Sequence, residues 1–216
     1  MPAPANAAHA PVIRLGGWRL TGIVTAVVLA SALVLIVGIG GSMGARSALR
    51  MTARASLVLF LSAFTASALH RLRPMPLSRW LMRNRRYLGV AFAGSHLVHA
   101  LAIGASIRAD ADAIYASQQP PGYLLNDIGY AFILAMAATS FRAPARMIGT
   151  TVWRWLHWVG GYYIWFAFAK SYVPRALHDS FYLPFAAALC LALALRLSAA
   201  IRTARPYFWN QWRCAK

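Results

Sequence analysis

Six long, largely uncharged apolar runs divide this 216-residue chain, and they constrain its fold more than any other feature. A hydrocarbon core about 30 Å thick is crossed by about 20 apolar residues in a helix. Runs of about this length recur along the whole chain and are separated by short polar or basic stretches. The sequence therefore predicts an all-α, polytopic bundle of six transmembrane helices at Leu20–Gly40, Ala55–Leu69, Tyr87–Ile107, Tyr123–Phe141, Val152–Tyr172 and Phe181–Leu197.

The strongly basic charge raises the question of nucleic-acid binding. The chain has 22 lysines and arginines against 4 acidic residues, which gives a formal net charge of +18. A nucleic-acid-binding domain gathers such charge on one face of a polar fold. Here the arginines separate apolar runs instead, and only 12% of the residues are charged. We therefore expect no nucleic acid as a partner, and we expect the chain to contact membrane lipid.

The distribution of basic residues predicts the orientation of the bundle, because these residues concentrate on the cytoplasmic side of membrane proteins. With both termini in the cytoplasm, 16 of the 22 basic residues lie on that side and all four aspartates lie outside. We therefore expect cytoplasmic N- and C-termini. The basic residues that this orientation leaves outside are Arg46, Arg50, Arg54, Arg108, Lys170 and Arg175.

The connections between the apolar runs are short, so the helices should form a single membrane domain. We expect a polar N-terminal tail at residues 1–19, the membrane domain at residues 20–200 and a basic cytoplasmic tail at residues 201–216. The chain contains no G-x-G-x-x-G or P-loop motif, so it has no nucleotide-binding module of its own. It also contains no glutamate, which argues against catalysis by a pair of carboxyl groups.

Histidines within the apolar runs are the strongest candidates for function, because polar residues inside a bilayer are costly and usually functional. His96 and His99 are three residues apart in the third run, within about 60° of each other on a helix of 3.6 residues per turn. In the fifth run, Gly160 and Gly161 follow His157 on the same helix face. Two explanations fit these glycines: tight packing between helices, or a flat cofactor that lies against the helix backbone.

Aromatic residues surround His157, and they fit either an interfacial aromatic belt or the walls of a cofactor pocket. Histidines on two helices, a glycine notch and aromatic walls together suggest heme, whose iron takes axial imidazoles. An intramembrane histidine also has a structural explanation, an interhelical hydrogen bond worth about 1 kcal/mol. We expect His99 to coordinate iron and His96 to pack or hydrogen-bond beside it.

Two stretches resemble signature motifs of the ferric-reductase-like transmembrane family, and they look closest to its MsrQ (YedZ) branch. RRYLGVAFAGSHLVH, from Arg85 to His99, is similar to the third-helix signature: an arginine pair, Leu-Gly, an aromatic and a final histidine. WRWLHWVGGYYIW, which contains His157, resembles the fifth-helix signature. The resemblance covers about residues 45–172 and agrees with the count of six helices.

The resemblance implies a b-type heme protein, with one or two hemes, that passes electrons across the bacterial inner membrane. Its electron donor would be a quinol or a separate flavoprotein, and its acceptor would lie at the outer face. Such a protein is an oxidoreductase subunit without its own flavin or nicotinamide domain. The basic stretch at residues 71–86 fits the positive-inside tendency, the docking of an acidic flavoprotein, or contact with heme propionates. We expect the heme site to include His99, His157, Gly160, Gly161, Arg85 and Arg86.

The chain departs from the family in its histidine pairs. The family often carries two histidines per helix, thirteen or fourteen residues apart. In this chain Arg85 stands fourteen residues before His99, and Lys170 stands thirteen residues after His157. The missing histidines motivate an alternative function, in which the chain keeps the same fold but is a heme-less scaffold or assembly subunit of a membrane complex.

If heme is bound, each iron needs a second ligand from another part of the chain. His99 and His157 differ in depth by about 10 Å when counted from the cytoplasmic ends of their helices, so one heme does not readily bridge them. We expect His70 to join His157, although a solvated interfacial histidine explains His70 equally well. For His99 the candidates are His178 and Lys170, and Lys170 is also explained by snorkelling to the outer headgroups.

Overall fold

The chain forms a bundle of long helices in the computed structural model, which describes residues 15–112 and 122–213. No β-strand occurs within these residues, so the prediction of an all-α, six-helix fold is confirmed. A short 3-10 turn at Ser180–Tyr182 precedes the last helix. The helices are α1 (Gly17–Ile39), α2 (Gly41–Leu72), α3 (Pro76–Ala109), α4 (Gly122–Ala138), α5 (Arg142–His178) and α6 (Leu183–Arg213).

The helices have the length and composition of a multi-pass membrane protein. Four segments are each long and apolar enough to cross a membrane: α1, α2, α3 and Ser180–Thr203. α4 and α5 meet this test only together, as a pair bent by 112°, so the described residues support four or five crossings where the sequence predicts six. The difference arises because α4 has only 17 residues and because His157, Lys170 and many Trp and Tyr residues lower the hydropathy of α5.

Successive helices alternate in direction, so the helix ends gather at the two ends of the bundle. At one end, Trp80 near the start of α3 donates a hydrogen bond from Nε1 to the carbonyl oxygen of Leu15, at 3.0 Å. At the opposite end, Arg46 near the start of α2 forms an ion pair with Asp110, just after α3. We call the first end the arginine end, after the side chains of Arg71, Arg85, Arg154 and Arg196 that lie there.

The two described chain ends lie on the same side of the bundle. Leu15 lies beside the start of α3, and Arg196, in the second half of α6, donates a hydrogen bond to the carbonyl oxygen of Phe64 near the end of α2, at 3.0 Å. Both chain ends are therefore at the arginine end. That this end faces the cytoplasm stays a prediction.

Aromatic side chains form the main core between α2, α3, α5 and α6. The ring of Phe60 lies 5.1 Å from that of Phe64, 5.5 Å from that of Phe92 and 5.5 Å from that of Phe168. A smaller apolar cluster, which includes Val28 and Ala48, packs α1 against α2 and α3. α1 otherwise exposes large apolar side chains along its length, as expected of a helix that faces lipid.

The first turns of α2 correct one expectation from the sequence. Arg46, Arg50 and Arg54 were expected in an outer loop, but they are helical, because Gly40 alone separates α1 from α2. Gly40 and Gly41, the first residue of α2, have positive φ, +72° and +54°, in the left-handed region that side chains rarely adopt.

The ends of the helices extend beyond the predicted spans. α5 contains a break at Gly149, whose φ is +74°, so a short first segment precedes the long one. α6 continues to Arg213 and takes in most of the predicted basic tail. The predicted N-terminal tail is described only from residue 15 onward.

Candidate cofactor site

A cavity of about 320 Å³ lies in the half of the bundle nearest the arginine end. Residues of α2 to α6 line it, together with the turn between α4 and α5. Its volume falls within the range of about 300–1,000 Å³ that is usual for small-molecule and cofactor pockets. We call it the His157 cavity, because His157 is the one histidine among its lining residues.

The walls of the His157 cavity are mainly apolar and aromatic. Phe64, Phe92 and Ile133 contribute buried side chains from three different helices. Gly89 also lines the cavity, and no atom lies within 4 Å of the position that a Cβ there would occupy. A Cβ at Gly161 would lie 3.7 Å from the ring of Phe64. The two glycines therefore widen the space beside α3 and α5 without being required for helix packing.

His157 is held in place by α4 and by its own helix. Its Nε2 atom lies 3.2 Å from the hydroxyl oxygen of Thr139, at the end of α4. The indole of Trp153, one turn earlier on α5, lies 4.4 Å from the imidazole and donates a hydrogen bond to the carbonyl oxygen of Thr139, at 3.0 Å. These contacts fix the imidazole of His157 at the cavity wall.

Gly160 has a different place from the one expected for a cofactor notch. It does not line the His157 cavity, but it faces α4. A Cβ at this position would lie 2.9 Å from the sulfur of Met136 and 3.0 Å from the ring of Phe132. Gly160 therefore allows close packing of α5 against α4, whereas Gly161 leaves open space at the cavity.

Four arginines line the His157 cavity, and no acidic residue does: Arg85, Arg86, Arg142 and Arg196. Arg86 Nε is buried and has no hydrogen-bond partner within residues 15–112 and 122–213. The Arg86 guanidinium lies 5.2 Å from the ring of Trp18, a cation–π contact. Guanidinium groups that line a cavity without carboxylates are suited to a negatively charged group of a ligand.

His99 lies outside the His157 cavity and contacts α2 instead. Its Nδ1 atom lies 2.9 Å from the hydroxyl oxygen of Thr52, which is itself fully buried. One turn away, the hydroxyl groups of Ser56 and Ser95 lie 2.9 Å apart. These pairs form a polar seam between α2 and α3, which is the structural role that an interhelical histidine can have.

His96 lies beside His99, with 5.2 Å between the ring centroids. The ring of Tyr130 on α4 lies 5.0 Å from His96 on another side. Within the part of the chain that the structure describes, neither His96 Nδ1 nor Tyr130 Oη has a hydrogen-bond partner, although both atoms are buried. His96 therefore packs among rings, as the sequence predicts, and it leaves one ring nitrogen unused.

The expected partner ligands do not meet His99 or His157 at a shared cavity. His70 is two residues from the end of α2 and does not line the His157 cavity, and its buried Nδ1 has no hydrogen-bond partner among the described side chains. His178 is the exposed last residue of α5, at the end of the bundle opposite the arginine end. Lys170 is also exposed on α5. Their roles as ligands stay predictions.

Several residues of the site escaped the reasoning from sequence. Thr139, Met136 and Phe64 are ordinary apolar-helix residues, and no motif singles them out. The sequence does point to Arg196, because an arginine inside an apolar run must have a polar partner or border a cavity. In the structure it stacks on the ring of Phe64, 4.2 Å from the ring centroid.

Comparisons of the chain with protein-family models, with curated proteins and with solved structures return no significant match. The resemblance to the ferric-reductase-like transmembrane family therefore rests on the two sequence stretches, and the cavity has to be judged by its own chemistry.

The His157 cavity offers what a heme needs from a protein. It has an apolar, partly aromatic interior, an imidazole on its wall and arginines in its lining. Guanidinium groups suit the propionates. The described residues contain no group of three or more His, Cys, Asp or Glu side chains placed to hold a metal ion, but a heme takes only one or two side chains as axial ligands. The residues present therefore fit one heme at this cavity.

Proposed function

We propose that the chain is a b-type heme protein of the membrane that transfers electrons. The observation that carries the proposal is that His157, Arg85 and Arg86 line the same apolar cavity, so that an imidazole and two guanidinium groups border one space. Apolar walls and a few convergent polar groups are the usual marks of a cofactor site.

Each part of the cavity has a defined role in this proposal. His157 would hold the iron through Nδ1, because its Nε2 contacts Thr139, and that contact orients the ring. Arg85 and Arg86 would bind the propionates by charge-assisted hydrogen bonds. The side chains of Phe64 and Phe92 exclude water from the space between them. When bound, heme supplies one-electron chemistry at a potential set by its axial ligands and surroundings.

One heme is the number that the described geometry supports. His157 is the single histidine that lines the cavity, and His99 is paired with Thr52 outside it. Met136 also lines the cavity, but its sulfur lies against Gly160, which is not part of the lining. His99 contacts Thr52 through Nδ1, so a second heme there would use Nε2, but His99 does not line the His157 cavity.

We expect the arginine end to face the cytoplasm of a bacterial inner membrane, which is the orientation that the positive-inside tendency favours. The His157 cavity then lies on the cytoplasmic side, within reach of a flavoprotein or of a quinol in the inner leaflet. The acceptor would be at the outer face, toward which the aromatic core extends from Phe60 through Phe168 to Tyr172.

The alternative function is a heme-less scaffold or assembly subunit of a membrane complex. The observation that favours it is the engagement of both expected ligands in ordinary hydrogen bonds, His99 with Thr52 and His157 with Thr139. In that case the His157 cavity would hold lipid chains rather than a cofactor.

The visible spectrum of the detergent-purified protein separates the two functions. Protein produced in heme-replete cells should show a Soret band that shifts and sharpens when dithionite is added. The pyridine hemochrome assay should give about one heme b per chain. A colourless protein whose circular dichroism spectrum shows that it is folded would overturn the heme proposal and favour the scaffold function.

A further inference from the structure

A second cavity, of about 460 Å³, adjoins the His157 cavity at the arginine end. The two share Arg85, Trp153, His157 and Arg196, but Arg71 and Arg154 line only the second. We call it the Arg71 cavity. Its arginines come from four helices, α2, α3, α5 and α6, so the fold gathers charges that are far apart in the sequence.

In the described part of the chain, no acidic side chain lies beside the arginines of the Arg71 cavity. Its lining contains Arg71, Arg85, Arg154 and Arg196 and no acidic side chain. The chain has only 4 acidic residues, and the ion pair between Arg46 and Asp110 lies at the opposite end of the bundle. Arg71 and Arg196 are close enough to Arg85 for their charges to act on it with the same sign. Like charges held this close favour a bound anion.

The tryptophans of the Arg71 cavity place it at the surface of the bilayer. Trp155 and Trp158 line the cavity and are 61% and 53% exposed, so each also has a face toward lipid. Tryptophan is enriched where the hydrocarbon region meets the headgroups. The cavity therefore lies at the depth of lipid phosphates, and it has an apolar rim on which acyl chains can lie.

We propose that the Arg71 cavity binds the headgroup of an anionic phospholipid that carries two phosphates. Arg71, Arg154 and Arg196 are not assigned to heme propionates, and these three arginines without carboxylate partners balance two phosphate charges better than one. Basic pockets between transmembrane helices bind lipid headgroups of this kind. The bound phosphates remove the mutual repulsion of the arginines, so the lipid also stabilises the arginine end.

The lipid site is separable from the heme proposal. Arg71 and Arg154 do not line the His157 cavity, so their replacement tests lipid binding without removing a heme contact. Arg154 is exposed, and reversal of its charge does not disturb the core. A failure to find heme leaves the lipid proposal standing, and a failure to find lipid leaves the heme proposal standing.

Native mass spectrometry of the full-length protein in detergent tests the site. The protein is titrated with cardiolipin, with phosphatidylglycerol and with phosphatidylcholine. One cardiolipin should bind more tightly than either other lipid. Because each arginine near such a surface contributes about 1 kcal/mol, Arg71→Gln with Arg154→Gln should weaken cardiolipin binding about 30-fold. The matched control, Arg50→Gln with Arg108→Gln at the opposite end, should bind cardiolipin as the wild type does.

The single variant Arg154→Glu provides a second test that does not rely on the double variant being folded. It should weaken cardiolipin binding by at least about 10-fold, with the helical circular dichroism spectrum unchanged. Equal affinity of the Arg71/Arg154 and Arg50/Arg108 variants for cardiolipin would overturn the proposal. If phosphatidylglycerol binds as tightly as cardiolipin, the proposed preference for a headgroup with two phosphates is wrong. Displacement of cardiolipin by inorganic phosphate at equal concentration would show a free-anion site instead of a lipid site.

Discussion

His157 Nε2 and Thr139 Oγ1 lie 3.2 Å apart, across the contact between α5 and the end of α4. The contact ties the imidazole to a helix that meets α5 at a bend of 112°. A hydrogen bond at the ring nitrogen that does not bind the metal sets the orientation of a ligating histidine, so His157 would hold iron through Nδ1. Thr139 is therefore a positioning residue for His157, while His157 itself faces the cavity.

Thr139→Val keeps the shape of the side chain and removes the hydroxyl. Loss of such a supporting contact typically weakens metal binding about 10- to 100-fold. We expect purified Thr139→Val protein to lose heme to excess apomyoglobin at least about 10 times faster than the wild type does. Thr203→Val, which removes a hydroxyl that only contacts its own helix, should not change the rate. Identical rates of heme loss for the wild type and both variants would show that Thr139 does not support heme binding.

Gly89 gives a way to fill the His157 cavity without breaking helix contacts. No atom lies within 4 Å of a Cβ at this position, and the residue lines the cavity. Gly89→Leu should therefore keep the protein folded but reduce bound heme several-fold, as measured by the pyridine hemochrome assay. Gly104→Leu, on the same helix at an exposed position that is also open, is the control. Full heme content in Gly89→Leu would place the cofactor elsewhere.

The contact between Thr52 and His99 predicts a measurable coupling between α2 and α3. Interhelical hydrogen bonds in membranes contribute about 0.6 kcal/mol on average and at most about 1.7 kcal/mol. Thr52→Val should lower the free energy of unfolding by about 1 kcal/mol in an SDS titration of mixed micelles. Thr65→Val, which removes a hydroxyl bonded to its own helix, should have a smaller effect. If the two variants unfold alike, the 2.9 Å contact is energetically neutral.

Gly44 allows the backbones of α1 and α2 to approach closely. A Cβ at this position would lie 2.7 Å from the carbonyl oxygen of Leu35 and 3.0 Å from that of Ile36, and backbone cannot move aside as a flexible side chain can. Gly44→Ala should destabilise the protein by about 1–3 kcal/mol. Gly22→Ala, at an open position on α1, should not. The same SDS titration measures both, and an unchanged midpoint for Gly44→Ala would contradict the close approach.

The sequence predicts the helices well because hydrophobic length is a local property. The long runs that contain Val28, Phe92 and Leu189 are recognisable without knowledge of any neighbour, and each lies in a helix of the structure. The helix boundaries were harder to predict. Arg46 lies in α2 rather than in a loop. The sequence does not show this, because the ion-pair partner of Arg46, Asp110, is 64 residues away in the chain and meets it only in the folded protein.

The candidate site was predictable only in part, for the same reason. The motifs single out Arg85, Arg86 and His157, and these three residues meet at one cavity. The motif that ends at His99 does not show that the Thr52 hydroxyl contacts Nδ1 of His99. Gly160 and Gly161 are adjacent and were expected to act together, but a step of about 100° on the helix turns one toward α4 and the other toward the cavity.

The Arg71 cavity shows the limit of reading charge along the chain. From the sequence, the basic stretch at residues 71–86 was explained by topology, by flavoprotein docking or by heme propionates. Arg154 and Arg196 were explained by topology alone, since a positive-inside count treats each charge separately. Only the packing of α2, α3, α5 and α6 shows that Arg71 and Arg154 lie beside Arg85 and Arg196 without a carboxylate. Clusters of like charge from distant segments are not visible in a linear count.

The heme content of His157→Ala, compared with that of His178→Ala, decides whether His157 holds the heme. Both variants remove one imidazole from α5, but His157 lines the cavity and His178 is exposed at the opposite end. We expect about one heme b per chain in the wild type and in His178→Ala, and a loss of most of it in His157→Ala, with all three proteins equally helical. Equal heme content in the two variants, or heme lost only from His178→Ala, would contradict this expectation.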